Sequence, residues 1–401
     1  MPDRLLSALR PVLIRDLPAR VPITRLGVVL VAAGVVLWIA GALLGWVELL
    51  TLAAAALLLP IVGILWTLRR TGLAVELGVT RPRVVVGEEA IASITVSNPT
   101  KHRIAGSRLE VQIGSGVAVY DPPVLTPGAS WDDALIIATD RRCVLDLGPP
   151  TMVAGDPAGT ARREVTAGQA KRLYVHPITV RLPGLTAGLL RDLEGHTTND
   201  LSSSDVAFHT LREYVPGDDR RHISWRSSAR HDKLLVRQFV DTRRSHVGLV
   251  LSLASAHYRD DDEFEFAVQV VGSIARSTFV EGQAVSGVAG YTRLPETPGP
   301  FLLDALSGVD HTSDAPDIAA LTRFAAPILL DVSVAMVVVG SAADVLEVRR
   351  HAQRFGGQTQ VAIIVCDRGS EPDRRRLGNT RVLRVGDLEG LARMTAVVGV
   401  R

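Results

Sequence analysis

The chain of 401 residues is long enough for about two or three domains, each with its own core. Lys and Arg total 44 and Asp and Glu total 42, and the net charge of +2 excludes a generally basic, polyanion-binding protein. With 47% hydrophobic and 21% charged residues, the composition is more apolar than that of an ordinary cytosolic protein and indicates a membrane-embedded part. The two cysteines, Cys143 and Cys366, lie far apart in the sequence, so no disulfide framework is expected and a reducing compartment fits.

Two long apolar segments follow a basic N-terminal stretch, residues 1–25. Apart from Glu48, which separates them, the segments carry no charge. At about 1.5 Å of rise per residue, a run of about 20 residues can cross a hydrocarbon core of about 30 Å. The pattern therefore predicts a transmembrane hairpin over 26–70, with helices at 26–46 and 49–68. A cleaved signal peptide would have a shorter apolar region and no second span directly after it.

Arginines lie outside the two ends of the predicted hairpin. Five precede the first helix, Arg69 and Arg70 follow the second, and only Glu48 lies in the connection. By the positive-inside rule, both ends and all later domains are expected in the cytoplasm, as in a multi-pass inner (plasma) membrane protein. Gly41 and Gly45 have the small-xxx-small spacing of closely packed membrane helices, although glycine is common in such helices in any case.

Residues 73–183 consist of short β-branched runs separated by turns of Gly, Pro, Asn and Asp. About seven or eight strands at intervals of about 8–15 residues, without helical periodicity, predict an antiparallel all-β sandwich of the immunoglobulin-like type. A polar linker and a charged stretch follow over 184–245.

Strands alternate with helices over 246–401. His246–Ala254 is a continuous apolar run, which is typical of a strand buried on both faces of a parallel sheet. In the next segment Phe264, Val268 and Val271 belong to an apolar face at helical spacing. Further runs of both kinds follow, and their alternation predicts a mostly parallel, doubly wound α/β sheet.

A densely charged stretch, EYVPGDDRRHISWRSSARHDKLLVRQF, occupies Glu213–Phe239. The Pro-Gly pair that ends at Gly217 predicts a turn. Asp218 or Asp219 is expected to cap a short helix through RRHISWRSSAR, because a carboxylate accepts the free amides of a helix N-terminus. Trp225 is expected to anchor that helix to a neighbouring domain, and KLLVRQF is expected to form a strand.

Three functional interpretations of this stretch compete. Its basic residues and Trp225 could contact nucleic acid, but the interleaved carboxylates would repel phosphates. A metal or acid-base site could be assembled from His209, His222 and His231 with Asp218, Asp219 and Asp232, although the spacing matches no ligand signature. We favour an interdomain brace, in which arginines pair with carboxylates while part of the surface stays open to a protein partner. The residues assigned to this brace or partner surface are Arg212, Glu213, Tyr214, Gly217, Asp218, Asp219, Arg221, Trp225, Arg226, Arg230 and Arg237.

The same stretch resembles the signature of the bacterial domain-of-unknown-function 58 family. That signature runs Arg-Glu-Tyr-x-Pro-Gly-Asp-Asp, then a basic pair, then Trp-Arg-x-Ser-Ala-Arg, and closes on a basic residue and Phe. The matching residues are Arg212, Glu213, Tyr214, Pro216, Gly217, Asp218, Asp219, Arg221, Trp225, Ser228, Ala229, Arg230 and Phe239. The resemblance extends to the apolar hairpin, the GDPAG turn at 155–159 and the α/β region, so it covers almost the whole chain.

The resemblance implies partners and a fold. Members of this family are often encoded beside a MoxR-type AAA+ ATPase and, in actinobacteria, beside a membrane protein with a transglutaminase-like domain. Their C-terminal region resembles the von Willebrand factor type A fold. By this resemblance the chain would be a membrane-tethered partner of a MoxR-type ATPase, concerned with assembling or maturing cell-envelope or other complexes. It would contact membrane lipid, but neither nucleic acid nor a cofactor.

A working type A domain binds a divalent metal through Asp-x-Ser-x-Ser, directly after its first strand. Here Ser252 stands at the Asp position, and Ala254 and Ala256 stand at the two Ser positions, so the resemblance implies a degenerate site without metal. Asp260–Asp262 lie nearby and could recover a cation, but N-capping of the following helix is the simpler explanation.

These observations lead to one leading hypothesis and two alternatives. The leading hypothesis is a non-enzymatic, membrane-anchored cytoplasmic scaffold. The first alternative is a divalent-metal-dependent ligand-binding module that uses Asp260–Asp262. The second is a hydrolase in which Asp218 or Asp219 works with His222.

Overall fold

A computed structural model describes residues 9–10, 23–68, 72–104, 108–182, 206–215, 223–231, 233–241, 246–356 and 359–396. Contacts within the chain separate two compact units, Met1–His176 and Pro177–Arg401. Unit 1 contains the apolar helices and the β-rich region. Unit 2 contains the charged stretch and the α/β region.

Unit 1 contains two apolar helices: α1, Arg25–Leu44, and α2, Val47–Leu68. Both are long and apolar enough to cross a membrane. Only 17% of the apolar window of each is buried, which distinguishes them from the core helices of a soluble domain. Because α2 begins at Val47 rather than at residue 49, Glu48 lies in its first turn, where a carboxylate meets the positive end of the helix dipole.

Glycines allow α1 and α2 to approach each other closely. A Cβ at Gly34 would lie 2.8 Å from Leu57, and one at Gly41 would lie 3.0 Å from Leu50, so larger side chains there would collide with α2. Gly45 instead ends α1 in a left-handed conformation, with φ 69°. Of the predicted packing pair, Gly41 contacts the second helix and Gly45 has a capping role.

Short strands make up the rest of unit 1. They are β1 Leu9–Arg10, β2 Ala74–Val79, β3 Arg83–Val85, β4 Ala90–Ser97, β5 Arg108–Ile113, β6 Gly116–Tyr120, β7 Ser130–Ile137, β8 Cys143–Leu147, β9 Thr151–Gly155, β10 Arg162–Thr166 and β11 Lys171–His176. One sheet has the order β2-β4-β7, and the other follows β1-β6-β5-β8-β11-β3, with β9 beside β5 and β10 beside β9. Strand β11 runs parallel to β3, so the prediction of a purely antiparallel sandwich is wrong at this pair.

The two sheets of unit 1 share one apolar core. Every second residue along β4 is buried, as expected for a strand with one face toward the core. Ile94 of the smaller sheet belongs to the same core as Leu109, Leu147 and Leu173 of the larger sheet, and all four side chains are fully buried. The β-rich region is therefore a two-sheet sandwich.

Unit 2 continues with two strands around a short helix and then alternates strands with helices. Its elements are β12 Val206–Glu213, α3 Trp225–His231, β13 Leu235–Asp241, β14 His246–Leu251, α4 Asp261–Val280, β15 Ala284–Ala289, β16 Thr292–Leu294, α5 Phe301–Ser307, α6 Ile318–Ala325, β17 Val334–Gly340, α7 Val345–Ala352, β18 Gln360–Cys366, β19 Asp373–Leu377, β20 Thr380–Val385 and α8 Leu388–Ala396. Single 3₁₀ turns lie at Ser255–His257 and Gln353–Phe355.

The large sheet of unit 2 has the strand order β16-β15-β14-β17-β18-β20-β19. Its inner strands run parallel, and β16 and β19 pair antiparallel at the two edges. Neither edge strand is among the predicted ones, because β16 has only 3 residues and β19 is the polar run DRRRL. The chain runs from β14 to β15 on one side and continues at β17 on the other, so β14 and β17 form the point at which the strand order reverses.

Helices cover both faces of this sheet. One core combines residues of α4, α5 and α8 with strand residues such as Leu249 and Met336. The other combines residues of α6 and α7 with Val250 and Val337. Every residue of β17 is buried, as expected for a central strand between two helical layers. The predicted alternation of strands and helices is thus observed as a sheet with two helical layers.

Candidate functional site

The charged stretch folds as a strand, a short helix and a second strand. Strands β12 and β13 pair antiparallel, with Glu213 opposite Leu235. Helix α3 is fastened to β13 because the Ser228 hydroxyl accepts a hydrogen bond from the Leu235 amide at 2.9 Å. The Ser224 amide in turn donates to the Leu235 carbonyl at 2.8 Å, and both serines are buried. The matching serine of the motif, Ser228, therefore has a structural role.

Three large apolar side chains are exposed on this fold. Trp225 is 65% exposed, Val215 is 58% exposed and Leu234 is 45% exposed. The Tyr214 amide donates to the Leu234 carbonyl at 2.8 Å, which brings the segments of Val215 and Leu234 together. The Ser224 amide donates to the Leu235 carbonyl, which holds the segment of Trp225 beside that of Leu234. The three exposed side chains therefore belong to neighbouring segments. Exposed apolar residues that lie together are typical of protein-binding surfaces.

Charged side chains lie on the same segments. Arg226 and Arg230 are exposed on α3. Lys233 Nζ lies 3.4 Å from Glu213 Oε1, and both side chains are more than half exposed, so this ion pair contributes little to stability. Together the exposed apolar and basic residues form the signature surface, which consists of Val215, Trp225, Arg226, Arg230 and Leu234.

The short helix begins later than predicted. Helix α3 begins at Trp225, so the position before its first residue is Ser224 rather than Asp218 or Asp219. The Ser224 carbonyl accepts the Ser228 amide at 2.9 Å, which closes the first turn. The side chain of Trp225 is exposed, and its predicted role as an anchor to a neighbouring domain stays a prediction.

Part of the predicted site lies outside the described residues: Gly217, Asp218, Asp219, Arg221 and His222. The hydrolase hypothesis depends on three of these and stays a prediction. The backbones of Arg212 and Arg237 lie in β12 and β13, but their side chains are also outside the description. The interdomain brace therefore stays a prediction as well.

A second candidate site lies at the C-terminal ends of β14 and β17, where open α/β sheets bind their ligands. Ser252 follows β14 directly and is fully buried. Its Oγ lies 2.7 Å from His257 Nδ1 and accepts the Ala254 amide at 3.3 Å. The Tyr258 hydroxyl donates to the Ser252 carbonyl at 2.6 Å. Of the degenerate metal positions, Ser252 is thus enclosed in its own loop, and Ala256 is exposed.

A buried carboxylate joins the loops that follow β14 and β17. Glu263 is 0% exposed and accepts hydrogen bonds from the Ser341 amide and, at 3.1 Å, from the Ser341 hydroxyl. It also accepts the Arg259 amide at 3.2 Å. A Cβ at Gly340 would collide with the His257 carbonyl oxygen, so only glycine lets the two loops approach this closely. The segments that follow β14 and β17 are therefore held in direct contact.

Arginines compensate the carboxylates at this edge. Arg259 Nη2 lies 3.2 Å from Asp367 Oδ1 and 3.5 Å from Glu263 Oε2, and Arg384 Nη1 lies 2.6 Å from Asp367 Oδ2. A hard divalent cation needs several oxygen ligands that are free to bind it. Among the residues that the structure describes, no group of three or more His, Cys, Asp or Glu side chains is placed to hold a metal ion.

The acidic run before α4 has structural partners. Asp260 Oδ1 accepts a hydrogen bond from the Glu263 amide at 2.8 Å and so caps α4. This confirms the N-capping interpretation for Asp260. Asp261 Oδ1 lies 3.1 Å from His311 Nε2, and Asp262 Oδ2 lies 2.9 Å from Arg368 Nη1. The three acids therefore point to separate partners within the described part of the chain.

Burial keeps other groups at the sheet edge uncharged. It raises the pKa of the Tyr258 hydroxyl and of the Cys366 thiol well above their ordinary values, so both keep their protons at neutral pH. Burial also lowers the pKa of His257, although the charges of Glu347 and Asp317 act in the opposite direction. A protonated buried thiol is a poor nucleophile, so these groups serve packing and hydrogen bonding.

Several solved structures have weak similarity to parts of the chain. The CARDB domain of the PF1109 protein from Pyrococcus furiosus is 13% identical, with 26% of this chain and 86% of that chain covered and a TM-score of 0.21. The putative ApaA protein from Bordetella pertussis is 16% identical, with 26% and 93% covered and a TM-score of 0.19. The alkylpurine DNA glycosylase AlkC of Pseudomonas fluorescens is 13% identical, with 34% and 43% covered and a TM-score of 0.20. Scores this low indicate neither a shared fold nor a shared function.

The comparison of sequences is more specific. No match was found among curated proteins. Residues 210–369 match the family described as protein of unknown function DUF58. The matched range contains the signature surface and the sheet edge with Ser252 and Glu263. The match agrees with the resemblance noted in the sequence and assigns residues 210–369 to the DUF58 family.

Proposed function

We propose that this protein is a membrane-anchored, cytoplasm-facing scaffold that binds a MoxR-type AAA+ ATPase through its signature surface and has no enzymatic activity of its own. The observation that carries the proposal is the exposure of three large apolar side chains, Trp225, Val215 and Leu234, on hydrogen-bonded segments of the family signature. Exposed aromatic residues beside arginine are typical of the few positions that dominate protein–protein binding energy. The scaffold would serve the assembly of complexes or the maturation of the cell envelope.

The apolar hairpin supports the membrane anchor. Large exposed apolar side chains cover α1, α2 and the turn between them, including the indoles of Trp38, Trp46 and Trp66. Apolar area on this scale is unfavourable in water and favourable in lipid. The arginines outside the two ends of the hairpin support an orientation with both ends in the cytoplasm.

The side chains at the C-terminal ends of β14 and β17 support a role without catalysis or metal binding. A nucleophile must reach its substrate, but Ser252 is buried and bonded to its own loop. A metal ion must find free oxygen ligands, but Asp367 is already paired with two arginines. The alternative of a metal-dependent module therefore has less support than the scaffold.

The finer fold types belong to the same proposal. The strand order of unit 2, with β14 in the sheet centre and antiparallel β16 at one edge, supports a von Willebrand factor type A-like domain. The two-sheet sandwich of unit 1 supports an immunoglobulin-like domain. By family resemblance, the proposal includes a transglutaminase-like membrane protein as a second partner.

Direct binding to a purified MoxR-type ATPase tests the proposed function. The full-length chain, extracted in detergent, would be immobilised and presented with the ATPase in the presence of a non-hydrolysable ATP analogue or of ADP. We expect saturable binding that differs between the two nucleotides, because AAA+ ATPases change conformation with nucleotide state. Absence of binding with both nucleotides would contradict the proposal.

A further inference from the structure

The turn between β9 and β10 lies against both apolar helices of unit 1. This segment, Gly155–Thr160, has the sequence GDPAGT and is called the docking turn below. Thr160 is 0% exposed, because the beginning of α1 and the later part of α2 cover it. Turns usually lie on the protein surface, so a fully buried turn residue requires a partner.

Thr24, which caps α1, binds the docking turn. Its amide donates to the Thr160 carbonyl at 3.0 Å, and its hydroxyl donates to the Gly159 carbonyl at 2.7 Å. The same hydroxyl oxygen accepts the Gly27 amide at 3.1 Å. One side chain therefore caps the helix and holds the turn at once.

A glycine in each helix leaves room for the docking turn. A Cβ at Gly27 of α1 would collide with the Thr160 carbonyl oxygen, and a Cβ at Gly63 of α2 would collide with the Thr160 hydroxyl oxygen. The latter Cβ would also lie 3.1 Å from Asp156 Cγ. Both glycines lie inside regular helices, so close packing rather than unusual backbone geometry explains them.

Asp156 holds the docking turn in shape. Its carboxylate accepts the Ala158 amide at 3.0 Å, the Ala161 amide at 2.5 Å and the Thr160 hydroxyl at 3.2 Å. Burial, the largest influence, acts to raise the pKa of the Asp156 carboxyl, but hydrogen bonds from Ala161, Thr160 and Ala158 together hold it below its ordinary value. Asp156 is thus a positioning residue that orients Thr160 toward the helices.

We propose that the docking turn fixes the β-sandwich of unit 1 against the cytoplasm-side ends of α1 and α2, so that hairpin and sandwich move as one body. The proposal rests on the membrane hairpin of the proposed function. A sandwich on a flexible linker would sample many orientations relative to the membrane. With the docking turn in place, a change in the packing of the two helices acts directly on β9 and β10, and through β9 on β5.

Disulfide cross-linking in native membranes tests this contact. Ile23 and Ala161 form an isolated antiparallel bridge, so their Cα atoms lie within the range of a disulfide, about 4.4–6.8 Å. The full-length chain with Ile23→Cys and Ala161→Cys, and with Cys143 and Cys366 replaced by alanine, is expected to form an intramolecular disulfide rapidly on mild oxidation. The fraction of free thiol is measured by the gel shift of a maleimide reagent.

Two controls make the test specific. The pair Ile23→Cys and Thr95→Cys, with Thr95 on β4 of the other sheet, is expected to stay reduced. Added to the first pair, Gly63→Leu is expected to lower the cross-linking rate about tenfold, because the new side chain expels the docking turn. Ala55→Leu on an exposed side of α2 is expected to leave the rate unchanged.

Equal cross-linking of the two cysteine pairs would overturn the proposal, because a freely moving sandwich would bring either position to α1. Should Gly63→Leu fail to accumulate, Asp156→Asn provides a variant of unchanged size, for which slower cross-linking is again expected. An unchanged rate in the available variants would also overturn the proposal. Extraction of the chain from membranes by alkaline carbonate would instead refute the membrane hairpin and with it the proposed function.

Discussion

The signature surface and the C-terminal edge of the parallel sheet lie in the same unit, but they differ in how they dispose of their side chains. At the sheet edge, Glu263 is fully buried, accepts hydrogen bonds from Ser341 and has Arg259 beside it. At the signature surface, Trp225 and Leu234 present apolar area to solvent. Buried, fully bonded polar groups hold one conformation, whereas exposed apolar area is available to a partner. Under the proposed function, recognition would therefore lie at the signature surface rather than at the sheet edge where such folds usually bind ligands.

The largest expected effect is the loss of stability in Glu263→Ala. The change removes the acceptor of the Ser341 amide and leaves Arg259 without one of its carboxylates, so we expect the free energy of unfolding to fall by about 3–5 kcal/mol. Thermal unfolding of the detergent-solubilised chain measures this. Asp262→Ala, in the same helical turn but exposed, is expected to change the free energy by less than about 0.5–1 kcal/mol. A loss of unfolding free energy in Glu263→Ala as small as that in Asp262→Ala would contradict the structural role of Glu263.

Trp225→Ala is expected to act on binding rather than on stability. Truncation of an aromatic residue at the centre of an interface costs about 2 kcal/mol, or about 30-fold in affinity for the MoxR-type ATPase. Because Trp225 is largely exposed, the unfolding free energy should change by no more than about 0.5 kcal/mol. Leu346→Ala, at an exposed position of α7, serves as the control. If the Trp225→Ala and Leu346→Ala variants bind the MoxR-type ATPase with equal affinity, the signature surface is not its binding site.

Acid is expected to weaken the docking turn through Asp156. The pKa of this carboxyl in the folded protein is lower than its ordinary value of 3.8. The ionised carboxylate therefore stabilises the fold fully above pH 3.8, and this stabilisation is lost as the pH falls through the folded-state pKa. The unfolding midpoint of Asp156→Asn should therefore lie below that of the parent at about pH 6, and the gap should narrow at about pH 2.5. Asp140→Asn, at an exposed position in unit 1, should show no such narrowing. A gap that is constant with pH would exclude the carboxylate as its cause.

The smallest expected effect is that of divalent cations at the sheet edge. Arg259 and Arg384 already compensate Asp367, so calorimetric titration with Mg²⁺ or Ca²⁺ should give no heat of binding at micromolar concentrations. Micromolar binding that disappears when Asp260–Asp262 are replaced would favour the metal-dependent alternative. That outcome would also return the ligand-binding role to the sheet edge.

Elements with strong local patterns were predicted correctly from the sequence. The length of the apolar runs predicted α1 and α2, and helical spacing together with the acid at Asp260 predicted α4 and its cap. Elements that depend on a distant partner were missed. The run DRRRL of β19 has no strand pattern and is extended because β20 pairs with it. The parallel pairing of β11 with β3 likewise joins segments far apart in the chain.

The sequence by itself determined the apolar helices, the alternation of strands and helices, and the family signature, because each of these depends on residues that are near neighbours in the chain. Only the tertiary structure decided that Glu263, in an acidic run, is buried while Trp225 is exposed. The partner of Glu263 is Ser341, 78 residues away, and Thr24 meets Thr160 across 136 residues. Such contacts arise when folding brings separate elements together, and no periodicity within one segment records them.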